Sequence, residues 1–147
     1  MSNSPAIPFE TTAFVRDHCL CLHAQRAARA LGRRFDDALR PLGLTSGQFS
    51  LMMALNRPKP PSMGPVASLL AMDRTTLTAA LKPLERRGLV TVSANPEDRR
   101  GRLLALTPEG EALLAAALPI WRSTHAEIDA GLGDGAGALR AGLRTLG

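Results

Sequence analysis

The spacing of apolar residues changes after Gly88, and this change most constrains what the chain can fold into. Before Gly88, apolar residues recur every three or four positions, as they do on one face of an α-helix. After it, two short apolar runs at residues 89–92 and 103–106 flank a polar segment that contains the turn signal Asn95-Pro96. Helical spacing then resumes. This order predicts a mainly α-helical fold with one small β-hairpin.

A continuous apolar stripe predicts one long helix in the N-terminal third of the chain. Its members follow one another at spacings of three or four: Leu20, Ala24, Ala27, Leu31, Phe35, Ala38 and Leu42. Pro41 and Gly43 mark its end. A helix of this length is typical of one that packs along a partner helix.

Capping residues place the helices between this stripe and the hairpin. Thr45 and Gln48 have the spacing of a capping box, which predicts a short helix after Thr45. The proline-rich residues 57–61 predict a loop. Ser62 and Asp73 are then the expected N-caps of two further helices, the second ending at Gly88.

The C-terminal third is also expected to be helical. Thr107 precedes Pro108 and Glu109, a combination favoured at the start of a helix. Pro119 is expected to kink or break that helix because proline removes a backbone donor. A glycine-rich joint at residues 131–137 should separate it from a last short helix.

The charge distribution favours an anionic partner. The 147 residues carry 18 Lys and Arg against 13 Asp and Glu, and nearly all the basic residues are arginines. Residues 73–102 contain seven basic and four acidic side chains, whereas residues 103–147 contain three and five. The positive excess therefore coincides with the helix before the hairpin and with the hairpin itself.

Several classes of protein are disfavoured by composition and motif. No apolar run has the length of a membrane span, and residues 1–10 lack the pattern of a secretory signal. Cys19 and Cys21 are too few for a disulfide framework or a zinc site. Since no phosphate loop, zinc signature or serine elbow occurs, we expect no enzyme activity, cofactor or metal. A cytoplasmic protein is the default expectation.

Short helices followed by a hairpin predict a winged helix-turn-helix. The helix at residues 73–87 would bury one face and present the other to the DNA major groove. Threonines suit base edges and phosphates, and arginines on a thin hairpin suit phosphates or the minor groove. The predicted DNA-binding residues are Arg74, Thr75, Thr76, Thr78 and Lys82 on the helix and Asp98, Arg99, Arg100 and Arg102 at the hairpin tip. Pro83 predicts a bend just after Lys82.

The order of elements and several motifs resemble the MarR family of bacterial transcription regulators, over about residues 15–130. The matching motifs are Leu42-Gly43-Leu44-Thr45, Asp73-Arg74-Thr75-Thr76-Leu77-Thr78, Leu84-Glu85-Arg86-Arg87-Gly88-Leu89-Val90, Asp98-Arg99-Arg100 and Leu106-Thr107-Pro108-Glu109-Gly110. The resemblance implies a homodimer that binds a palindromic operator on double-stranded DNA, most often as a repressor. It also implies that Asp98 orients the wing arginines.

The resemblance further implies three regions. Residues 1–40 would form an N-terminal arm and dimerisation helix, residues 41–106 the winged helix-turn-helix lobe, and residues 107–147 the C-terminal dimerisation helices. A winged helix that binds a protein partner, or that bends DNA without reading its sequence, is the alternative. The basic wing and the polar helix count against it.

Cys19 is the candidate redox thiol. His23 lies one helical turn further on, and positive neighbours favour a nucleophilic thiolate. The organic-hydroperoxide-sensing branch of the family, which the chain also resembles, has a reactive cysteine near this place. That branch holds its thiol with tyrosines, which this chain lacks. The alternative is that Cys19 and Cys21 are small core residues.

A small aromatic or phenolic ligand is the other candidate signal implied by the resemblance. Its pocket would be lined by His23, Phe49, Met52 and Met53. The alternative is that these side chains are simply core, since methionine and phenylalanine at helical spacing more often pack inside.

Overall fold

The structure is a computed structural model, and it describes residues 6–147 as helices with one two-stranded antiparallel hairpin. In chain order the elements are α1 Phe9–His18, α2 Leu20–Leu39, α3 Ser46–Leu55, α4 Met63–Leu69, α5 Arg74–Arg86, β1 Val90–Asn95, β2 Asp98–Leu106, α6 Pro108–Leu132 and α7 Ala136–Leu146. Short 3₁₀ turns at Arg40–Leu42 and Gly133–Gly135 follow α2 and α6. The predicted fold class, mainly α-helical with a hairpin wing, is confirmed.

The long helix that the apolar stripe predicts is confirmed as α2, and the N-terminal region adds a helix that the sequence does not predict. A separate helix, α1, precedes α2, and the two meet at Cys19, whose backbone is extended (φ −71°, ψ 108°). The Cys19 sulfur accepts a hydrogen bond from the Leu22 N–H at 3.5 Å and so caps α2. At the other end α2 stops at Leu39, and residues up to Leu42 form a 3₁₀ turn around Pro41.

The hydrophobic core lies in the helix-turn-helix lobe. Its fully buried side chains are Leu39, Leu51, Met52, Val66, Leu77, Leu81, Leu84 and Leu104. Only the end of α2 enters this core. The earlier members of its apolar stripe, including Leu20 and Leu31, are exposed. The N-terminal part of the stripe that predicted α2 therefore faces away from the core, whereas Leu42 at its other end packs against it.

The hairpin is longer than the sequence indicates. Its strands pair from Val90 with Leu106 to Ala94 with Arg102, and the register shifts after Ala94. The segment before α4 extends the sheet, because the Leu104 N–H donates to the Pro61 carbonyl at 2.9 Å. Ser62 stands at the N-cap of α4 and bridges to β2, but its hydroxyl makes no capping bond. Ser62 is therefore the N-cap residue as predicted, without the side-chain hydrogen bond that usually accompanies that position.

Two prolines lie within helices that continue through them. Pro83 lies in α5 and Pro119 in α6, so the predicted break at Pro119 is wrong. Buried side chains occur on both sides of each proline, and this packing offsets the loss of one backbone donor. The glycine-rich joint is also shorter than expected, since α6 extends to Leu132 and only residues 133–135 interrupt the helices.

Candidate nucleic-acid interface

Asp73 begins α5 and so positions the candidate recognition surface. Its Oδ1 accepts a hydrogen bond from the Thr76 N–H at 2.7 Å, which satisfies a free donor at the helix N-terminus. The same hydrogen bond holds the pKa of Asp73 below its ordinary value. Ala71 forms the tight turn before it with a positive φ of 52°. The exposed N-terminus of α5 therefore follows a short, conformationally constrained turn.

The two faces of α5 divide as the sequence predicts. Leu77, Leu81 and Leu84 are buried in the core. All five predicted recognition residues on the other face are exposed: Arg74, Thr75, Thr76, Thr78 and Lys82. The Thr78 hydroxyl donates to the Arg74 carbonyl at 2.8 Å, which leaves its oxygen free to accept a further hydrogen bond.

The wing carries its arginines along a strand instead of at the tip. Arg99, Arg100 and Arg102 all lie in β2 and are exposed, while the tip is formed by residues 95–98. Asp98 accepts a hydrogen bond from the Arg100 backbone N–H at 3.0 Å. Asp98 thus fixes the backbone of Arg100 at the start of β2.

The helix and the wing meet across an open cleft of about 340 Å³. Arg74 from α5 lines it together with Arg100 and Arg102 from β2, and Asp98 is the one acidic residue in the lining. Three guanidinium groups against one carboxylate make the cleft positive. This geometry is suited to a polyanion that contacts the helix and the wing together.

Solved structures of other proteins share this arrangement of helices and wing. The crystal structure of the M. tuberculosis transcriptional regulator MosR in complex with DNA is 40% identical in sequence, with a TM-score of 0.81. The match covers 88% of this chain and 93% of MosR. The sequence profile of the MarR family also matches residues 44–101. The chain belongs to the MarR family.

Two curated members of the MarR family illustrate the range of similarity. The transcriptional regulator HosA of Escherichia coli O111:H- is 41% identical over 87 residues, which are 58% of this chain and 63% of HosA. This chain therefore matches less than two thirds of that relative. The organic hydroperoxide resistance transcriptional regulator of Bacillus subtilis is 28% identical over 127 residues, or 86% of each chain.

In this MarR-family chain the two cysteines lie at the junction of α1 and α2. Cys19 is half-buried and caps α2, while Cys21 is exposed and accepts a hydrogen bond from the Gln25 side chain at 3.0 Å. His23 turns to the same junction, since its Nε2 lies 3.0 Å from the Asp17 carbonyl oxygen. The imidazole therefore bonds the backbone at this junction.

The four residues expected to line a ligand pocket are not gathered in one cavity. Phe49 and Met52 are buried in the core, and Phe49 stacks on Trp121 with ring centroids 6.2 Å apart. Met53 lines a surface cavity against α6, and His23 is exposed on α2. The core interpretation of Phe49 and Met52 is the one that fits the structure.

Residues 6–147 present neither a metal site nor a membrane span. In that range no three His, Cys, Asp or Glu side chains are grouped so as to hold a metal ion. No helix there combines the length and apolar character needed to cross a bilayer.

The long-range contacts that sequence reasoning missed lie behind the interface. The Gly88 carbonyl oxygen accepts a hydrogen bond from the Thr107 hydroxyl at 2.6 Å. A Cβ at Gly110 would overlap the carbonyl oxygen of Leu89. Both contacts fix the end of α5 against the start of α6. The sequence pointed to this junction only through the motif from Leu106 to Gly110, which resembles the MarR family.

Proposed function

We propose that this protein is a sequence-specific regulator of transcription that binds double-stranded DNA. The observation that supports this most strongly is the positive cleft in which Arg74 of α5 meets Arg100 and Arg102 of the wing. The exposed threonines of α5 lie beside it on the same helix. The similar MosR structure was solved in complex with DNA, which supports a DNA partner.

Each candidate residue has a distinct role in this proposal. Thr75, Thr76 and Thr78 read base edges in the major groove through their hydroxyl and methyl groups. Phosphate contacts hold the protein on DNA but do not read the base sequence. The residues that make them are Arg74, Lys82, Arg99, Arg100 and Arg102. Asp98 shapes the wing backbone through its hydrogen bond to Arg100.

The exposed apolar residues of the terminal helices support a homodimer. On α1 and α2 they include Phe9, Phe14 and Leu20, and on α7 they include Leu139 and Leu146. Contiguous exposed apolar surface marks an interaction site. Residues 1–40 and 107–147 would form the dimer interface, and residues 41–106 the DNA-binding lobe. Two-fold symmetry then favours a palindromic operator.

This assignment makes the protein a regulator of genes and not an enzyme. It would act on chromosomal DNA in the bacterial cytoplasm. We favour repression, in which the dimer covers an operator until a signal releases it.

Selection of bound fragments from a randomised DNA library tests sequence recognition directly. Wild-type protein should enrich a palindromic site whose binding survives an excess of unrelated competitor DNA. Thr76→Ala should relax the base preference at one position of each half-site. Thr91→Ala, a matched change at an exposed position of β1, should leave the selected site unchanged. Enrichment of no site would favour the architectural or partner-binding alternative.

We propose oxidation of Cys19 as the releasing signal, with a small ligand as the alternative. The Bacillus subtilis relative is named for organic hydroperoxide resistance, and Cys19 sits at the α1–α2 junction within the proposed dimer interface. An organic hydroperoxide would transfer one oxygen to the Cys19 thiolate, giving a sulfenate and an alcohol. Condensation of the protonated sulfenic acid with a second thiol would release water and leave a disulfide.

Titration with cumene hydroperoxide tests the thiol. Wild-type protein should leave its selected DNA, and Cys19→Ser should stay bound. Release of Cys21→Ser shows whether the second cysteine is also needed. Normal release of Cys19→Ser would exclude the thiol mechanism. A small aromatic ligand acting near Met53 would then be the signal to seek.

A further inference from the structure

The last turn of α5 is bound through one arginine to the 3₁₀ turn that follows α2. Arg87 is the C-cap residue of α5, and its guanidinium donates to the Gly43 carbonyl at 2.6 Å and to the Leu42 carbonyl at 3.4 Å. Gly43 has a positive φ of 66°, so the acceptor carbonyls belong to a turn of fixed shape. These residues are more than forty positions apart in the chain.

The same turn is held on its α2 side by a carboxylate. Asp36 of α2 accepts a hydrogen bond from the backbone N–H of Ser46, the first residue of α3, at 2.7 Å. The connection between α2 and α3 is therefore fixed to α2 by Asp36 and to α5 by Arg87. A polar path leads from the proposed dimerisation helix to the proposed recognition helix.

The other side of the last turn is bound to α6. The Thr107 hydroxyl reaches the Gly88 carbonyl, and the Thr107 N–H donates to the Leu89 carbonyl at 3.0 Å. The C-terminal end of α5 thus lies between the two helices that lead into the proposed dimer interface. Its N-terminal end, with Thr75 and Thr76, has no such support from α2 or α6 and extends about 20 Å away from Arg87.

We propose that Arg87 is a positioning residue that fixes the angle between α5 and α2 and thereby the separation of the two half-sites that the dimer accepts. This rests on the proposed function. Leu77, Leu81 and Leu84 pack α5 against the core, and Arg87 restrains its C-terminal end, so a small tilt at Arg87 displaces the N-terminal end of the helix. In a dimer, the two recognition helices must enter successive major grooves about 34 Å apart. The Arg87 hydrogen bonds set that distance without touching DNA.

Half-site spacing is the readout that separates positioning from simple stability. The probe is the duplex selected by the wild-type protein, compared with duplexes in which one base pair is inserted or deleted at its centre. One base pair moves the half-sites by about 3.4 Å and rotates them by about 35°. Wild-type protein should therefore discriminate strongly between the native and altered spacings.

Arg87→Gln should reduce that discrimination. We expect binding to the native spacing to weaken about threefold to tenfold, and binding to the altered spacings to change much less. Arg87→Lys, which keeps a donor for Gly43, should restore part of the discrimination. Arg86→Gln is the matched control, because it removes the same charge at an exposed neighbour. The ratio of its affinities for the native and altered spacings (the spacing ratio) should equal that of the wild type.

A second measurement needs no DNA. Spin labels at Ala79→Cys, an exposed position of α5, in dimers with Cys19 and Cys21 changed to serine, report the distance between the two recognition helices. Arg87→Gln should broaden this distance distribution, and Arg86→Gln should not. An unchanged spacing ratio together with an unchanged distribution would overturn the proposal. Failure of the wild-type protein to select any DNA would instead count against the proposed function.

Discussion

The hydroxyl of Thr107 donates a hydrogen bond to the carbonyl oxygen of Gly88, 2.6 Å away, and accepts one from the Gly110 N–H at 3.0 Å. One side chain thus ends α5 and begins α6. Thr107→Val keeps the shape but removes both bonds. We expect it to lower the free energy of unfolding by about 1–2 kcal/mol, the usual range for a lost N-cap. Urea unfolding followed by circular dichroism measures this loss.

Thr107→Ser is the informative companion variant, because it keeps the hydroxyl. It should retain most of the stability that Thr107→Val loses. Equal losses in the two variants would show that the methyl group, and not the hydrogen bonds, stabilises this junction.

Gly110 is required by packing. A Cβ at this position would overlap the backbone carbonyl of Leu89, which cannot rotate away as a side chain would. Gly110→Ala should therefore destabilise the protein by about 3 kcal/mol, at the upper end for overpacking. Gly142→Ala is the matched control in α7, where a Cβ meets open space. It should stabilise the chain by about 0.5–1 kcal/mol, because alanine favours a helix. Thermal unfolding measures the change in midpoint temperature of each variant. Changes of the same sign in both would refute the packing argument.

The helix starts are the part of the fold that the sequence predicts well. Thr45, Asp73 and Thr107 were each identified as caps from their type and neighbours, and all three make the expected side-chain bond. Capping is local: the donor lies two or three residues from the acceptor. The exposed face of α5 follows from the same local reasoning, because helical spacing assigns each residue to a face.

Contacts between distant residues could not be predicted in this way. Arg87 and Gly43 carry no periodic signal that connects them, and their contact depends on how α2 and α5 pack. The extra helix α1 was missed because its apolar residues, such as Phe9 and Phe14, do not face the core. The break expected at Pro119 was wrong because local propensity yields to packing in a long helix.

Ala71 offers a test of backbone strain before the recognition helix. Its φ of 52° lies in the left-handed region, where an alanine Cβ costs about 1–2 kcal/mol. Ala71→Gly should relieve that strain and raise stability by up to about 1 kcal/mol, after the added entropy of the unfolded chain is counted. Ala79→Gly, at an exposed interior position of α5, should instead lower stability by about 1 kcal/mol. Calorimetric unfolding measures the stability of both variants. Equal losses of stability in the two would contradict the assigned turn conformation.

Asp73 should make the stability of α5 depend on pH. Its pKa is lowered from 3.8 by the hydrogen bond from the Thr76 N–H, so the folded state favours the ionised carboxylate. The stabilisation is fully present above the unfolded pKa and is lost as the pH falls below it through the folded pKa. Asp73→Asn keeps an N-cap oxygen that does not titrate. Comparing urea midpoints of the two proteins between pH 6 and about pH 3 should show a steeper fall for Asp73, and parallel curves would exclude this role.

The wing arginines should contribute to binding through phosphate contacts. Arg99→Gln and Arg100→Gln each remove one positive charge from the exposed face of β2, while Asp98 still holds the Arg100 backbone. Each variant should weaken binding to all DNA sequences and reduce the slope of log affinity against log salt by about 0.9. Arg144→Gln, on α7, removes the same charge far along the chain from the wing and should leave the slope unchanged. Fluorescence anisotropy with the selected duplex from about 50 to 200 mM salt gives these slopes. Wild-type slopes in both wing variants would mean that the wing does not contact the DNA backbone.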